Sequence, residues 1–302
     1  MDSKNIVIIT SEPLGAYHIA PMYEEMSLRF SKFTHLIPYP EALQREPWVD
    51  ISSSLSILDS CDRVILAGGG FSAWSESVLS YASSLGKPIY LTELAYGSFV
   101  SKPKFINISK VSALTPANKI LICKTLPISP EKVVVTGSPQ IIPNMEHTGD
   151  LVLLLSTSDM LVRDSAANLI EVANYLQKNK IPYLIRCHPR EDKSPWKGHP
   201  LSCSPLLSED LALAKIVVAY TGSPSLNVVA SGIPLINLAP NDNFTNILPI
   251  TFKSILPNWA SNYEDVILLL DEFSLPNTES IQALLGNNNQ AARQIVDFWE
   301  SE

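Results

Sequence analysis

Residues 63–92, Arg63-Val64-Ile65-Leu66-Ala67-Gly68-Gly69-Gly70-Phe71-Ser72 running on to Leu85-Gly86-Lys87-Pro88-Ile89-Tyr90-Leu91-Thr92, decide how this chain folds. An apolar, β-branched run at 63–67 is followed by three glycines, a helix-compatible stretch at 73–84, then Gly-Lys-Pro and a second apolar run at 88–92. Strands without polar alternation, joined through a helix, are the signature of a parallel sheet covered on both faces. The same order recurs at 215–238, KIVVAYTGSPSLNVVASGIPLINL. There a strand at 215–220 leads through Thr221-Gly222-Ser223 into a helix at 224–231, and Gly232-Ile233-Pro234 returns the chain to a strand at 234–238. One such unit per half predicts two tandem Rossmann-like α/β domains facing a central cleft. Their expected spans are residues 1–145 and 146–302, divided near the polar stretch Pro143–Gly149, with the last helix packing back on the first domain. A single large sheet is the alternative, and both the length of 302 residues and the duplication argue against it.

Working outward, the first half predicts strands at 5–10, 34–38, 110–115 and 132–136. It also predicts a helix at 52–60 and another over 17–30 with Ile19, Met22, Tyr23, Met26 and Phe30 on one side. The second half predicts strands at 150–156 and 182–187 and helices at 160–179, 207–214, 263–273 and 288–300. Hydrophobic residues make up 46% and charged residues 17%, enough apolar material for two cores, which excludes a disordered chain. The formal charge is 22 − 30 = −8, without a dense Lys/Arg run, so neither nucleic-acid binding nor a polybasic membrane anchor is expected. No apolar stretch reaches the roughly eighteen residues of a membrane span, and Met1-Asp2-Ser3-Lys4 leads straight into a strand without a signal-peptide layout. The expected location is the cytoplasm. Cys61, Cys123, Cys187 and Cys203 contain no C-x-x-C pair, so no metal site is expected; two disulfides are possible on paper, and thiols in a reducing compartment are the simpler reading.

In open parallel sheets ligands bind beyond the carboxyl ends of the strands, and the chemically unusual residues fall there. The first turn, Thr10-Ser11-Glu12-Pro13-Leu14-Gly15-Ala16-Tyr17-His18, places His18 at a helix entrance, where the helix dipole keeps imidazole neutral and able to accept a proton. Glu12 is a second candidate base. Gly69 and Gly70, with Ser72, allow close backbone approach to an acceptor, and Glu93 ends the next strand at the same edge. In the second half Ser156, Thr157 and Ser158 offer hydroxyls at a helix start. Arg186 and His188, in Arg186-Cys187-His188-Pro189-Arg190-Glu191, concentrate positive charge at a strand end. Thr221, Gly222, Ser223 and Ser225, with Asn227 one turn on, form a helix start suited to phosphate. Each stretch also has a structural reading: His18 and the serines as caps, the glycines as a tight turn, Arg190–Glu191 as a surface pair.

Together these features resemble the GT-B glycosyltransferases. His18-Ile19-Ala20-Pro21 is similar to the H-x-x-P loop in which inverting members carry their base. Ala67–Glu93 with Thr136-Gly137-Ser138-Pro139 resembles the N-acetylglucosaminyltransferase family that makes peptidoglycan lipid II, and Thr221–Pro234 is similar to that family's nucleotide-binding helix. Arg186-x-His188-Pro189 is similar to the H-P motif of sialyl-, Kdo- and glycerophosphate transferases and to the R-x-H-P of UDP-N-acetylglucosamine 2-epimerases. The sequence departs from the lipid II family in three places: Asn227 stands where the family has a ribose-binding glutamate, Thr92-Glu93 replaces its H-E motif, and Ser156-Thr157-Ser158 lacks its glycines. The resemblance implies a metal-independent, inverting transferase without a cofactor. A nucleotide sugar would sit on the second domain and a soluble or glycan acceptor on the first, with His18 or Glu12 as base and no stable membrane association. It also leaves open a nucleotide-sugar 2-epimerase, or a degenerate GT-B binding or scaffold subunit.

Overall fold

Runs of Ile and Val form the interior strands of two all-parallel sheets. The computed structural model describes residues 4–10, 19, 22–37, 48–50, 55–68, 71–93, 99, 103, 107–139, 141, 147–156, 163–188, 191–220, 223–238, 256–275, 279, 281, 285 and 290–301. The chain divides into two compact units, residues 1–140 with 283–302, and residues 141–282. The sequence reading sets the division at 145, counts 146–302 as the second domain and expects the last helix to pack back on the first.

The first unit contains β1 (Asn5–Ile9), α1 (Tyr23–Arg29), β2 (Lys32–Ile37), β3 (Trp48–Asp50), β4 (Arg63–Gly68), α2 (Ala73–Ser84), β5 (Ile89–Glu93), β6 (Ile108–Ala113), α3 (Pro116–Thr125) and β7 (Val133–Val135). Its sheet runs β3-β2-β1-β4-β5-β6-β7, parallel throughout, so strand order reverses between β1 and β4. On one face Val7, Ile9, Val64, Leu66 and Leu91 meet Val78, Leu79 and Ala82 of α2.

The second unit contains β8 (Leu151–Leu155), α4 (Arg163–Lys178), β9 (Tyr183–Arg186), α5 (Leu207–Ala212), β10 (Ala214–Tyr220), α6 (Ser223–Ala230), β11 (Leu235–Leu238), β12 (Trp259–Ala260) and α7 (Tyr263–Asp271). Its order is β12-β11-β10-β8-β9, also parallel, with the reversal between β8 and β10. This is the flavodoxin-like order, and the reversal marks where such sheets bind ligands.

The repeated glycine motif has a common physical basis. At the end of α2 the Lys87 N–H bonds the Ala82 carbonyl and the Gly86 N–H bonds that of Ser83, with Gly86 at φ +69°. At the end of α6 the Ile233 N–H bonds Val228 and the Gly232 N–H bonds Val229, with Gly232 at φ +75°. Both are Schellman caps, which need the left-handed backbone that glycine adopts without strain. The proline that follows begins the return to the sheet.

Two expected helices differ. The 17–30 helix is described as Ile19 and α1, which starts after Pro21, although Ile19, Met22, Met26 and Phe30 are buried as the spacing requires. The 52–60 helix is a single 3-10 turn, Leu55–Leu58, closed by Ser60 Oγ and Cys61 Sγ on the Ile57 and Leu58 carbonyls. Strands β3 and β12 and helix α3 are additions to the sequence reading. All four cysteines are free, with Cys61 buried and Cys203 exposed. No helix among the described residues is long and apolar enough to cross a membrane.

The last helix, α8 (Ala291–Glu300), belongs to the first unit. Ile295, Val296, Phe298 and Trp299 pack with Ile6, Ile8, Ile65, Ala67 and Tyr90 on the sheet face opposite α2. Arg63, 6% exposed at the amino end of β4, receives its carboxyl end. The guanidinium donates to the carbonyls of Trp299 and of Ser301 (2.9 Å) and lies 4.9 Å over the Tyr90 ring. The Tyr90 hydroxyl donates to the Ser301 carbonyl at 2.7 Å, and Trp299 Nε1 to Thr92 Oγ1 at 2.7 Å. Helix carboxyl ends leave carbonyls without intrahelical partners, and a cation satisfies both their bonds and the dipole. Replacing Arg63 by Ala is expected to lower the unfolding free energy by about 3 kcal/mol. Hydrogen exchange is expected to show α8 amides losing protection ahead of those in β1 and β4.

Candidate functional site

In the first unit the carboxyl edge near the β1/β4 reversal is built around Thr10. Its N–H continues the ladder to the Leu36 carbonyl at 3.1 Å, and its hydroxyl is 2.7 Å from His35 Nε2. His35 Nδ1 is 3.1 Å from the Tyr23 hydroxyl. Thr10 and His35 are 0% and 1% exposed. Burial pushes the His35 pKa down to about 3 and raises that of Tyr23, so both are neutral over the physiological range. This buried chain ends where the turn containing Glu12 and His18 begins; Glu12, His18, Gly69 and Gly70 lie outside the described residues.

Ser72 is the N-cap of α2. Its hydroxyl accepts from the Ser75 N–H at 3.1 Å while Ser75 Oγ accepts from the Ser72 N–H at 2.9 Å. Glu93, expected to meet an acceptor, is 1% exposed. It accepts from the Leu114 N–H (3.0 Å) and from Asn118 Nδ2 (2.6 Å), which joins the ends of β5 and β6 to the first turn of α3. A carboxylate between neighbouring strand ends is drawn into the unpaired N–H groups of the adjoining turn.

In the second unit Ser156 follows β8 at the β8/β10 reversal. Its N–H bonds the Arg186 carbonyl at 3.0 Å, and its hydroxyl donates to the Glu191 carboxylate. Glu191 also accepts from the His188 N–H (3.1 Å) and Trp196 Nε1 (3.0 Å), so one carboxylate closes the His188 turn against the end of β8. His188 is half-buried beside it. Thr157, Ser158, Pro189, Arg190, Thr221 and Gly222 lie outside the described residues.

Arg186 faces away from the Glu191 turn. It pairs with the buried Asp210 at 2.5 Å and donates to the carbonyls of Ser204 (3.1 Å), Pro205 (3.3 Å) and Leu206 (3.3 Å). Asp210 also accepts from Ser202 Oγ at 2.7 Å. Arg186 thus fixes residues 202–206 and α5 instead of presenting its charge at the His188 turn. Ser225 is 0% exposed and donates to the Tyr220 carbonyl at 3.2 Å, tying the start of α6 to the end of β10. Ser223 begins α6, and Asn227, half-buried one turn on, caps nothing but offers its carbonyl to Ser231. Among the sequence-predicted residues, then, the described edge of the second unit gathers Ser156, His188 and the start of α6.

No family model matches the sequence, and no curated protein matches it. Solved structures do. The UDP-N-acetylglucosamine 2-epimerase of Neisseria meningitidis bound to UDP-N-acetylglucosamine is 12% identical with a TM-score of 0.64, covering 99% of this chain and 100% of that one. Acinetobacter baumannii MurG is 12% identical with a TM-score of 0.61, covering 98% and 99%. The wall teichoic acid polymerase TagF is 11% identical with a TM-score of 0.64, covering 98% and 90%. The chain has the GT-B fold. At these identities the likeness extends to the GT-B architecture of two Rossmann-like domains and no further. No group of three His, Cys, Asp or Glu side chains suited to a metal gathers among the described residues of this GT-B chain.

Three contributors were missed in the sequence: Glu191, Asp210 and His35. Glu191 follows His188 by three residues, the spacing of a closed turn, and His35 directly precedes the apolar pair Leu36-Ile37 of β2; both were visible signals. The burial of His35 sets a pH dependence. Its folded pKa lies below the ordinary value of 6.5, so the unfolded chain holds more protons between about pH 3 and 6.5. That contribution to stability is complete above about pH 6.5 and is lost as pH falls, by up to about 1.4 kcal/mol per pH unit. Urea unfolding between about pH 7 and 4.5 is expected to show a smaller pH slope for His35→Gln than for the unmutated chain.

Proposed function

We propose that the chain is a glycosyltransferase that moves a sugar from a nucleotide-sugar donor to a hydroxyl acceptor, inverting the anomeric centre and needing no metal. The observation that carries this reading is the second unit's β8/β10 reversal: Ser156, the His188 turn and the N–H groups opening α6 share the carboxyl edge of a GT-B domain. Phosphate binds where helix-start N–H groups and a fixed turn converge.

In this mechanism the diphosphate is held by the opening of α6 (Thr221, Gly222, Ser223), by Ser156, Thr157 and Ser158, and by His188. Arg186 and Ser225 act indirectly, the first by holding residues 202–206 and the second by fixing the start of α6 to β10. Asn227, in place of the resembled family's glutamate, meets the nucleoside. His18 takes the proton of the acceptor hydroxyl as its oxygen bonds the sugar's anomeric carbon, with Glu12 as the alternative base. The bond from that carbon to the donor phosphate oxygen breaks, and its electron pair leaves with the nucleotide. Fixed dipoles stabilise that charge without a cation. Gly69, Gly70 and Ser72 border the acceptor, and Glu93 supports that edge from beneath. The proposed location is the cytoplasm, and the acceptor a soluble molecule or a glycan.

A second reading, a nucleotide-sugar 2-epimerase, is favoured by Arg186-x-His188-Pro189 and by the fold likeness to the Neisseria enzyme. A thermal-shift panel of UDP, GDP, CDP, CMP, dTDP and ADP, with and without magnesium, tests the donor site. One nucleotide is expected to stabilise the protein by about 2.7 kcal/mol at a hundredfold its Kd, independently of magnesium, and His188→Ala to abolish the shift. His18→Ala is expected to keep binding and lose about 10²- to 10⁴-fold in turnover. Inversion at C2 of the donor sugar without an acceptor would instead establish the epimerase. Absence of any nucleotide shift would leave a binding or scaffold subunit.

A further inference from the structure

We propose that Asn237 is a ligand-binding residue of the second unit. Its carboxamide, unpaired in the free chain, takes a group of the nucleotide sugar that both donates and accepts a hydrogen bond, a hydroxyl or a secondary amide. The inference rests on the nucleotide-sugar reading above and adds to it a residue on β11.

The argument starts from a polar side chain where the strand calls for an apolar one. β11 reads Leu-Ile-Asn-Leu, and asparagine is among the residues least suited to a buried strand. Asn237 is 0% exposed, yet neither its Oδ1 nor its Nδ2 has a hydrogen-bond partner. Its backbone is ordinary, with the N–H bonded to the Asn258 carbonyl at 2.9 Å, so the mismatch is confined to the side chain. Buried carboxamides are normally paired, and one left bare costs folding free energy that leucine would not.

Register locates the group. Asn237 lies level with Ala219 of β10, which lies level with Leu155 of β8, the residue before Ser156. In a parallel sheet this row shares one face, and it is the face away from Ile236, Leu238, Val218, Leu154 and α4. α6 packs on β10 and β11, and none of its described residues joins that opposite core, which assigns it to the Asn237 face. Two independent features therefore meet at one strand edge: the opening of α6, with N–H groups lacking intrahelical acceptors, and an unpartnered carboxamide on the next strand. Ala219, between Asn237 and Leu155, is the smallest side chain of the row. With the diphosphate at the β8/β10 reversal, the ligand group extending toward β11 reaches Asn237, displacing what encloses it.

The test is Asn237→Leu, close in volume and without polar atoms, in the full chain, with Asn237→Val as the second variant should leucine prevent folding. Thermal unfolding of the free protein is read first, then titration with UDP-N-acetylglucosamine and CMP-N-acetylneuraminate. The expected result is a free-protein Tm equal to or above that of the unmutated chain, with affinity for the bound nucleotide sugar weakened about tenfold or more. A lowered Tm in both variants would show the carboxamide paired within the protein and overturn the proposal. Unchanged affinity in a stably folded variant would overturn it while leaving the nucleotide-sugar reading intact. If the unmutated chain binds neither compound and none of the six nucleotides stabilises it, the nucleotide-sugar reading falls, and this proposal with it.

Discussion

Arg63 occupies the first position of β4, at the amino edge of the first sheet, where a buried guanidinium without anions would be costly. Its acceptors are carbonyls from residues 299 and 301, at the far end of the chain. A contact across more than two hundred residues fixes which unit the last helix joins. It also makes the first unit discontinuous, since residues 283–302 complete a sheet face that residues 1–140 leave apolar. Arg29 reinforces the join through Asp297 and through Glu300 at 3.4 Å, but those pairs are partly exposed and contribute little beside the buried clamp. Trp299 then carries the join across the sheet: its ring fills the face, and its Nε1 reaches Thr92, one residue from Glu93. The carboxyl edge of β5 is held from both sides by residues remote in sequence.

In the second unit the comparable constraint is the allocation of charge. Arg186 and His188 are neighbours on the strand end, and a count of residues puts both at an anion. The fold separates them. Arg186 lies on the α5 face, where buried Asp210 takes its charge, and Glu191 closes the His188 turn from the other side. Among the described residues of this edge Arg186 is engaged by Asp210, which leaves the His188 turn and the N–H groups opening α6. Under the proposed function an anion would be held there by oriented dipoles and hydrogen bonds, which act at close range.

What the sequence made legible follows from local rules. The strands that form the middle of each sheet are runs of Ile, Val and Leu, and the Gly-x-Pro returns are Schellman caps that announce themselves by glycine. Of the four edge strands, β7 and β9 were legible and the other two were not. β3 and β12, three and two residues long, have too little pattern to separate from loops, and α3 begins at Pro116 with a weak apolar stripe. Side-chain roles were less legible: Ser72, read as an acceptor contact, caps α2 through Ser75. Glu93 and Arg186 depend on amides, carbonyls and a carboxylate brought in by later turns and helices, and Ser225 on the Tyr220 carbonyl that ends the preceding strand. Residue type alone gives no hint of those partners. For the candidate site, position at strand ends could be read, whereas the direction of each side chain could not.

The two units differ in how they treat buried polar groups. In the first, Thr10, His35 and Tyr23 satisfy one another, Glu93 is bonded by Leu114 and Asn118, and Trp299 by Thr92. At its described carboxyl edge these groups are paired within the protein. In the second, Asn237 stays bare beneath a helix start. Desolvation without pairing is unfavourable in the free protein and is offset only when something binds. Buried atoms without partners occur in the first unit too, Asn5 Oδ1 and Arg63 Nε, but both residues lie at its amino edge, whereas Asn237 lies toward the carboxyl edge of the second. That difference between the described edges is a ground, separate from the resemblance in sequence, for proposing the nucleotide sugar at the second unit.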